Sequence, residues 1–143
     1  MTITEFNNLL RRTNRLLASP ETKVLLKATK ELELDIKDRI FIQGKDAEEV
    51  KIGNYKSKSW IRKRIKRNRQ VGFVDLKYTG NLSASIKTKK KEKSVVIETD
   101  NPVGKYQEQR RKKDIFAATE NEVDDLTVYV EILFDQELDK IFS

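Results

Sequence analysis

Three observations predict an α+β fold: apolar stripes at helical spacing through the first forty residues, two short strand-like runs between residues 82 and 99, and a capped helical pattern after residue 119. The expected order is N-terminal helices, a small antiparallel β-sheet with a long exposed basic loop, and a C-terminal helix. At 143 residues the chain has the length of a single domain, 1–143. A chain of that size buries roughly two thirds of its unfolded surface, enough for one core.

The first helix is predicted from T-I-T-E, a capping box in which Thr2 is the N-cap and Glu5 stands three positions on. Phe6, Leu9, Leu10, Thr13, Leu16 and Leu17 follow at helical spacing, giving a helix of about 14 residues. Ser19-Pro20-Glu21 starts a second helix with a cap, a proline whose missing N–H costs nothing there, and an acid against the dipole. Leu25, Ala28, Leu32, Ile36 and Ile40 form its stripe, widened by Leu26, Leu34 and Phe41, up to about Gln43. Gly44 then supplies a left-handed cap.

Periodicity fails from Lys45 to Gly72, which predicts an exposed basic arm at about 45–72. Within it W-I-R-K-R-I-K-R-N-R, from Trp60 to Arg69, places six cations in ten positions. Taken alone such a run is a solvated loop. Trp60, Ile61 and Ile65 interleave with the cations, however, and a helical turn with these on one side and arginines on the other binds a surface.

Thr79-Gly80-Asn81 is a turn signal. Leu82 to Thr88 and Ser94 to Thr99 are the predicted strands, joined by a charged turn, with Leu82 and Ile86 inward and Ser83 and Ser85 on the opposite face. Asp100-Asn101-Pro102 ends the second strand, because proline cannot continue a ladder. Residues 104–111 suit a short helix. Thr119 and Glu122 form another capping box, and Val123, Leu126, Val130, Leu133 and Ile141 follow on one helical face. The β-branched stretch T-V-Y-V-E-I-L-F competes as a strand, but cap and length favour a helix ending near Phe142.

Composition narrows the function. The chain has no cysteine and no histidine, so disulfides, thiolate chemistry and the usual near-neutral base are excluded. A non-enzyme is expected, without catalytic, cofactor-binding or metal-binding residues. No apolar run approaches the roughly 20 residues of a membrane span, and the N-terminus lacks a signal-peptide pattern. The net charge of +7 is unevenly spread. Residues 51–93 carry fifteen Lys or Arg against Asp75 and Glu92, while residues 119–143 carry eight acids against Lys140. Head-to-tail association between copies is one physical use of such polarity.

Asp75, Leu76, Thr79, Gly80, Leu82, Ser85 and Ile86 spell D-L-x-x-T-G-x-L-x-x-S-I, with Tyr106, Gln107, Ile115 and Phe116 further on. Their order resembles the tailed-phage neck and tail-completion proteins, over most of the chain from about Leu32. After Tyr106 the chain departs from that pattern, with Gln107-Glu108-Gln109-Arg110-Arg111 in place of a glycine-containing turn. The resemblance implies a structural virion protein without catalysis, at the head–tail junction of the particle and in the host cytoplasm during assembly. Its implied partners are copies of itself in a ring and neighbouring connector, head-closure or tail-terminator proteins, with no membrane or small-molecule substrate. The docking residues expected are Trp60, Ile61, Arg62, Arg64, Ile65, Arg67, Arg69, Tyr106, Arg110 and Arg111, with Thr79, Gly80, Leu82, Ser85 and Ile86 as the structural motif.

The rival expectation is a nucleic-acid-binding protein in which Arg62, Lys63, Arg64, Lys66, Arg67 and Arg69 neutralise phosphates. Six such pairs give a log–log salt slope of about −5. Against it, Trp60 is a lone aromatic in the run, and no helix-turn-helix, zinc-finger or RNP pattern is present.

Overall fold

The structure is a computed structural model and describes residues 2–8, 11, 23–91 and 94–142. The first capping box forms: the Thr2 N–H donates to Glu5 Oε2 at 2.6 Å, the Glu5 N–H donates to Thr2 Oγ1 at 3.1 Å, and residues 3–8 are helical. Leu9, Leu10, Thr13, Leu16, Leu17 and the predicted start at Ser19-Pro20-Glu21 lie outside the described residues.

Helix α1 is Lys23–Lys37 and passes into a π-helical turn, Asp38–Ile42, so helical structure reaches the predicted end near Gln43. The wide turn carries three consecutive buried residues, Arg39, Ile40 and Phe41. Gly44 has φ +65°, and a Cβ there would overlap the Phe73 ring and lie 2.6 Å from the Val74 carbonyl oxygen. Only glycine satisfies both the left-handed backbone and the close approach.

The remaining elements are α2 (Lys58–Lys66), α3 (Asn81–Ser85), β1 (Lys87–Lys90), β2 (Val95–Glu98), α4 (Pro102–Arg111) and α5 (Glu120–Phe142). Strands β1 and β2 pair antiparallel, with Lys87 opposite Glu98 and Lys90 opposite Val95. The α+β class is therefore as the sequence predicts. Glu33 on α1 fastens the sheet, its Oε2 accepting from the Thr88 N–H and hydroxyl, both at 2.7 Å.

Two apolar clusters hold the fold. The larger joins Ile36, Ile40 and Phe41 to Ile52, Val74, Leu82, Ile86 and Ile115. The smaller packs α1 on α5 through Val24, Ala28 and Leu133, with Leu126, Tyr129, Val130 and Phe134 against it. The second capping box starts α5: the Thr119 N–H donates to Glu122 Oε2 at 2.9 Å, and the Glu122 N–H donates to Thr119 Oγ1 at 3.1 Å. The stretch from Thr127 to Phe134 is helical, so the strand alternative does not form.

Several local expectations need correction. The strand predicted from Leu82 begins only at Lys87, and Asn81–Ser85 is a helical turn. Leu82 and Ile86 are four residues apart, a spacing that places them on one face of either a strand or a helix, and both are buried. Leu34 and Val123 were expected in apolar stripes but are 56% and 45% exposed, because the α1–α5 seam runs through other residues. The Ile141 side chain lies outside the described residues.

The 45–72 segment is basic and exposed along α2, yet it is anchored. Ile52 is in the core, the Val74 N–H donates to the Gly53 carbonyl at 2.8 Å, and the Asp46 carboxylate accepts from the Glu48 and Val50 N–H groups at 2.9 and 3.1 Å. A free excursion would leave these groups to water.

Candidate docking site

Helix α2 begins where the Ser57 hydroxyl accepts from the Trp60 N–H at 3.3 Å. Its six-cation run does not present six free charges. Arg64 is 1% exposed. Its Nε donates to the Gln70 carbonyl at 3.0 Å, its Nη1 to the Lys77 carbonyl at 3.0 Å, and its Nη2 to Asp75 Oδ1 at 2.8 Å. The guanidinium carbon lies 4.4 Å from the centre of the Tyr55 ring. Arg64 was expected as a docking cation; burial and these partners make it structural, because the chain folds back from residue 70 to 77 around it.

Asp75 is the counterpart. Its Oδ1 also accepts from the Tyr55 hydroxyl at 3.0 Å and the Lys77 N–H at 3.0 Å, while Oδ2 accepts from Gln70 Nε2 at 2.8 Å. The network satisfies a buried charge pair, the condition under which such pairs persist. Burial pushes the Tyr55 phenol up to about 12, so it stays a neutral donor to Asp75.

Arg69 is half-buried, donating through Nε to the Tyr78 carbonyl at 2.8 Å, and Arg67 lies over the Tyr78 ring at 4.5 Å while remaining exposed. Trp60 meets Tyr78 with ring centres 4.7 Å apart. On the outer side Arg62, Lys63, Ile65 and Lys66 are exposed, and Ile61 is half-buried. Among the described residues no ion pair engages Arg62, Lys63 or Lys66.

Trp60, Thr79, Gly80, Leu82, Arg110 and Arg111, drawn from three separate stretches of sequence, line one open cleft of about 880 Å³ between α2, the 76–82 segment and α4. Gly80, at φ +92°, makes the bend into α3, and no atom lies within 4 Å of where its Cβ would be. The backbone conformation and not crowding requires glycine here. Ser85 stands behind the motif, its hydroxyl bonded to the Leu82 carbonyl at 2.7 Å and to Thr99 Oγ1 at 2.6 Å. Ile86 is in the core.

Helix α4 forms the opposite wall. Asn101 Oδ1 caps it by accepting from the Val103 N–H at 3.0 Å, and Pro102 occupies the first turn. Val103, Gln107, Arg110 and Arg111 then face the cleft at helical spacing. Tyr106, 57% exposed, stands beside them and does not line the cleft. Arg111 Nε donates to Gln107 Oε1 at 3.1 Å, and burial, with Arg110 next to it, lowers its pKa. Among the described residues no carboxylate lines the cleft, whereas Lys56, Arg64, Arg110 and Arg111 do. Tyr55 and Tyr78 also line it; neither was expected as a docking residue, since only the fold brings them into one cleft with Trp60.

A contrasting hollow of about 290 Å³ lies between α1 and α5, lined by Glu31, Asp35, Glu122 and Asp125. Burial and then the Glu122 and Asp125 charges raise the Asp35 pKa above its ordinary 3.8. Among the described residues no group of three or more side chains is placed to hold a metal ion, and no helix is long and apolar enough to cross a membrane. No protein-family model, no curated protein and no solved structure matches this chain.

Proposed function

We propose that this protein is a non-catalytic structural subunit of the head–tail neck of a tailed bacteriophage. It assembles as, or on, a ring around the DNA exit channel and joins connector to tail through protein–protein interfaces. The motif resemblance from Asp75 to Phe116 points to that family. The observation that carries the reading is the separation of unneutralised charge: cations on α2 and the cleft rim, and Asp124, Asp125, Glu131, Asp135 and Asp139 on α5, with no ion pair between the two helices among the described residues. Opposite charges on separate packing units favour heterologous contact between copies and with neighbours. Its partners on this reading are copies of itself and adjacent connector, head-closure or tail-terminator proteins.

Protein identification in purified particles, together with the genes flanking this one, tests the reading. It expects the protein in the particle at a copy number set by a ring, and flanking portal, head-closure and tail-tube genes. Absence from particles and neighbours unrelated to head or tail assembly would sink it.

Contact with DNA is the second reading, favoured by the exposed cations of α2. With Arg64 and Arg69 committed internally, Arg62, Lys63, Lys66 and Arg67 remain. Four phosphate contacts give a log–log salt slope of about −3.6 in place of about −5. A slope at or beyond −5 would require cations from outside the 60–69 run, such as Lys56, Arg110 or Arg111 at the cleft.

A further inference from the structure

Resting on the ring reading, the geometry points to the α2–α4 cleft as the socket for the acidic outer face of α5 from a second copy of this chain. Three properties of the cleft select that occupant. Among the described residues its lining holds no carboxylate, and with Arg64 neutralised by Asp75 its uncompensated charge comes from Lys56, Arg110 and Arg111. Its apolar lining includes Trp60 and Val103, the latter 46% exposed. Its volume of about 880 Å³ accommodates roughly six residues of helix, given a rise of about 1.5 Å per residue and a diameter of about 10–12 Å.

The α5 face has the complementary composition. Val128 and Ile132, one turn apart, are 55% and 47% exposed. Asp124, Asp125, Glu131 and Asp135 stand three to seven residues from Val128, on the same side of the helix or flanking it. The opposite side of α5, at Leu126, Tyr129, Val130 and Leu133, is already packed on α1. Among the described residues nothing packs over the exposed valine and isoleucine, and the acids around them have the sign that the cleft attracts.

A nucleic-acid strand fits the same cleft less well. Base stacking needs free ring faces, but Arg64 lies over Tyr55, and Tyr78 is engaged by both Arg67 and Trp60. Cleft and α5 face are different surfaces of one chain, so their contact is heterologous and propagates into a closed ring or an open filament.

The chain has no cysteine, so introduced pairs report the contact without background. Full-length protein carrying Val103→Cys is mixed with protein carrying Ile132→Cys and oxidised at low salt. The expected product is the mixed disulfide, at least tenfold over either self-pair, with ladders from the doubly substituted chain. In parallel, Arg110→Glu is expected to weaken self-association at least tenfold by sedimentation, and adding Asp124→Lys with Asp125→Lys to the same chain to recover much of it. Association with no excess of the mixed disulfide overturns the socket. So does protection of Val103→Cys from alkylation by a single-stranded oligonucleotide but not by added protein. The neck reading fails separately: mixed disulfide in a protein absent from particles keeps the socket and removes the neck, whereas presence in particles without the disulfide does the reverse.

Discussion

Arg39 and Arg64 are both buried, each pairs with one carboxylate, and each uses its remaining N–H groups on backbone carbonyls, yet they organise different spans of chain. Arg64 works locally, with all its partners within thirteen residues. Arg39 works at long range: its Nε donates to Glu122 at 2.6 Å, Nη1 to the Lys45 and Ile115 carbonyls at 3.2 and 2.9 Å, and Nη2 to the Ala117 carbonyl at 2.7 Å. Because Glu122 also closes the capping box on Thr119, Arg39 ties the π-helical turn to the start of α5. One arginine shapes the wall of the cleft; the other closes the domain. The planar fork is what permits either role, since a lysine ammonium cannot reach several fixed carbonyls at once.

The largest effect is therefore expected at Arg39. Arg39→Ala strands the Glu122 carboxylate and three carbonyls in a buried site, a loss of about 3–5 kcal/mol in urea unfolding. Arg39→Lys recovers little of it. A cost below about 1 kcal/mol for Arg39→Ala would mean that water replaces the fork and that the long-range tie is not what secures α5.

Arg64→Ala comes next, at about 3 kcal/mol, because Asp75 keeps Tyr55, Gln70 and the Lys77 N–H as donors when the guanidinium is lost. Arg62→Ala, two residues away in the same run, should stay within about 0.5 kcal/mol. Equal costs at 62 and 64 would contradict the division of the run into structural and free cations.

That division shows what a sequence of this kind discloses. Both capping boxes, the left-handed backbone of Gly44 and the end of α5 depend on neighbours within a turn, and pattern alone locates them; the close approach of Phe73 and Val74 to Gly44 does not depend on such neighbours. The role of Arg64 depends on the return of residues 70–77, and the role of Arg39 on Glu122, 83 positions away; neither leaves a local trace. At α3 the failure has another cause. Leu82 and Ile86 satisfy strand and helix spacing equally, and Gly80 with Thr79 decides for the helix through the Thr79 hydroxyl, which accepts from the Asn81 N–H at 3.2 Å. The motif residues Thr79, Gly80 and Leu82 and the cleft residues Trp60, Arg110 and Arg111 were each visible singly, but their meeting in one cleft was not.

A smaller effect distinguishes the Arg64 region by pH. Tyr55→Phe removes the hydroxyl that donates to Asp75 Oδ1 at 3.0 Å and accepts from the Asp75 N–H at 3.3 Å, at a cost of about 1–2 kcal/mol near neutrality. In the intact protein the phenol pKa is raised from 10.0 to about 12. The folded state thus holds that proton more tightly than the unfolded state; the resulting stability is complete below pH 10 and is lost as pH rises through about 12. The stability difference between the two proteins should therefore shrink over that window. A difference that stays constant to pH 12 would show that the phenol contributes packing alone.

The smallest effect belongs to the Arg39 region, where carboxylates outnumber cations. Asp35 faces Glu122 and Asp125 across the α1–α5 hollow, with Glu31 and Asp38 on its own chain segment, and its pKa is raised above 3.8. The sign is opposite to that of a salt-bridged acid: the folded state favours the protonated form, so ionisation above the raised pKa weakens the fold. Asp35→Asn removes that repulsion and should stabilise the protein near pH 7, by no more than about 0.5 kcal/mol because the side chain is largely solvated. The gain should fade as pH drops below 3.8, where the native aspartate is itself neutral. An equal gain at pH 3 and pH 7 would assign it to packing. No gain at either pH would mean that Arg39, through Glu122, already offsets the surplus negative charge of this seam.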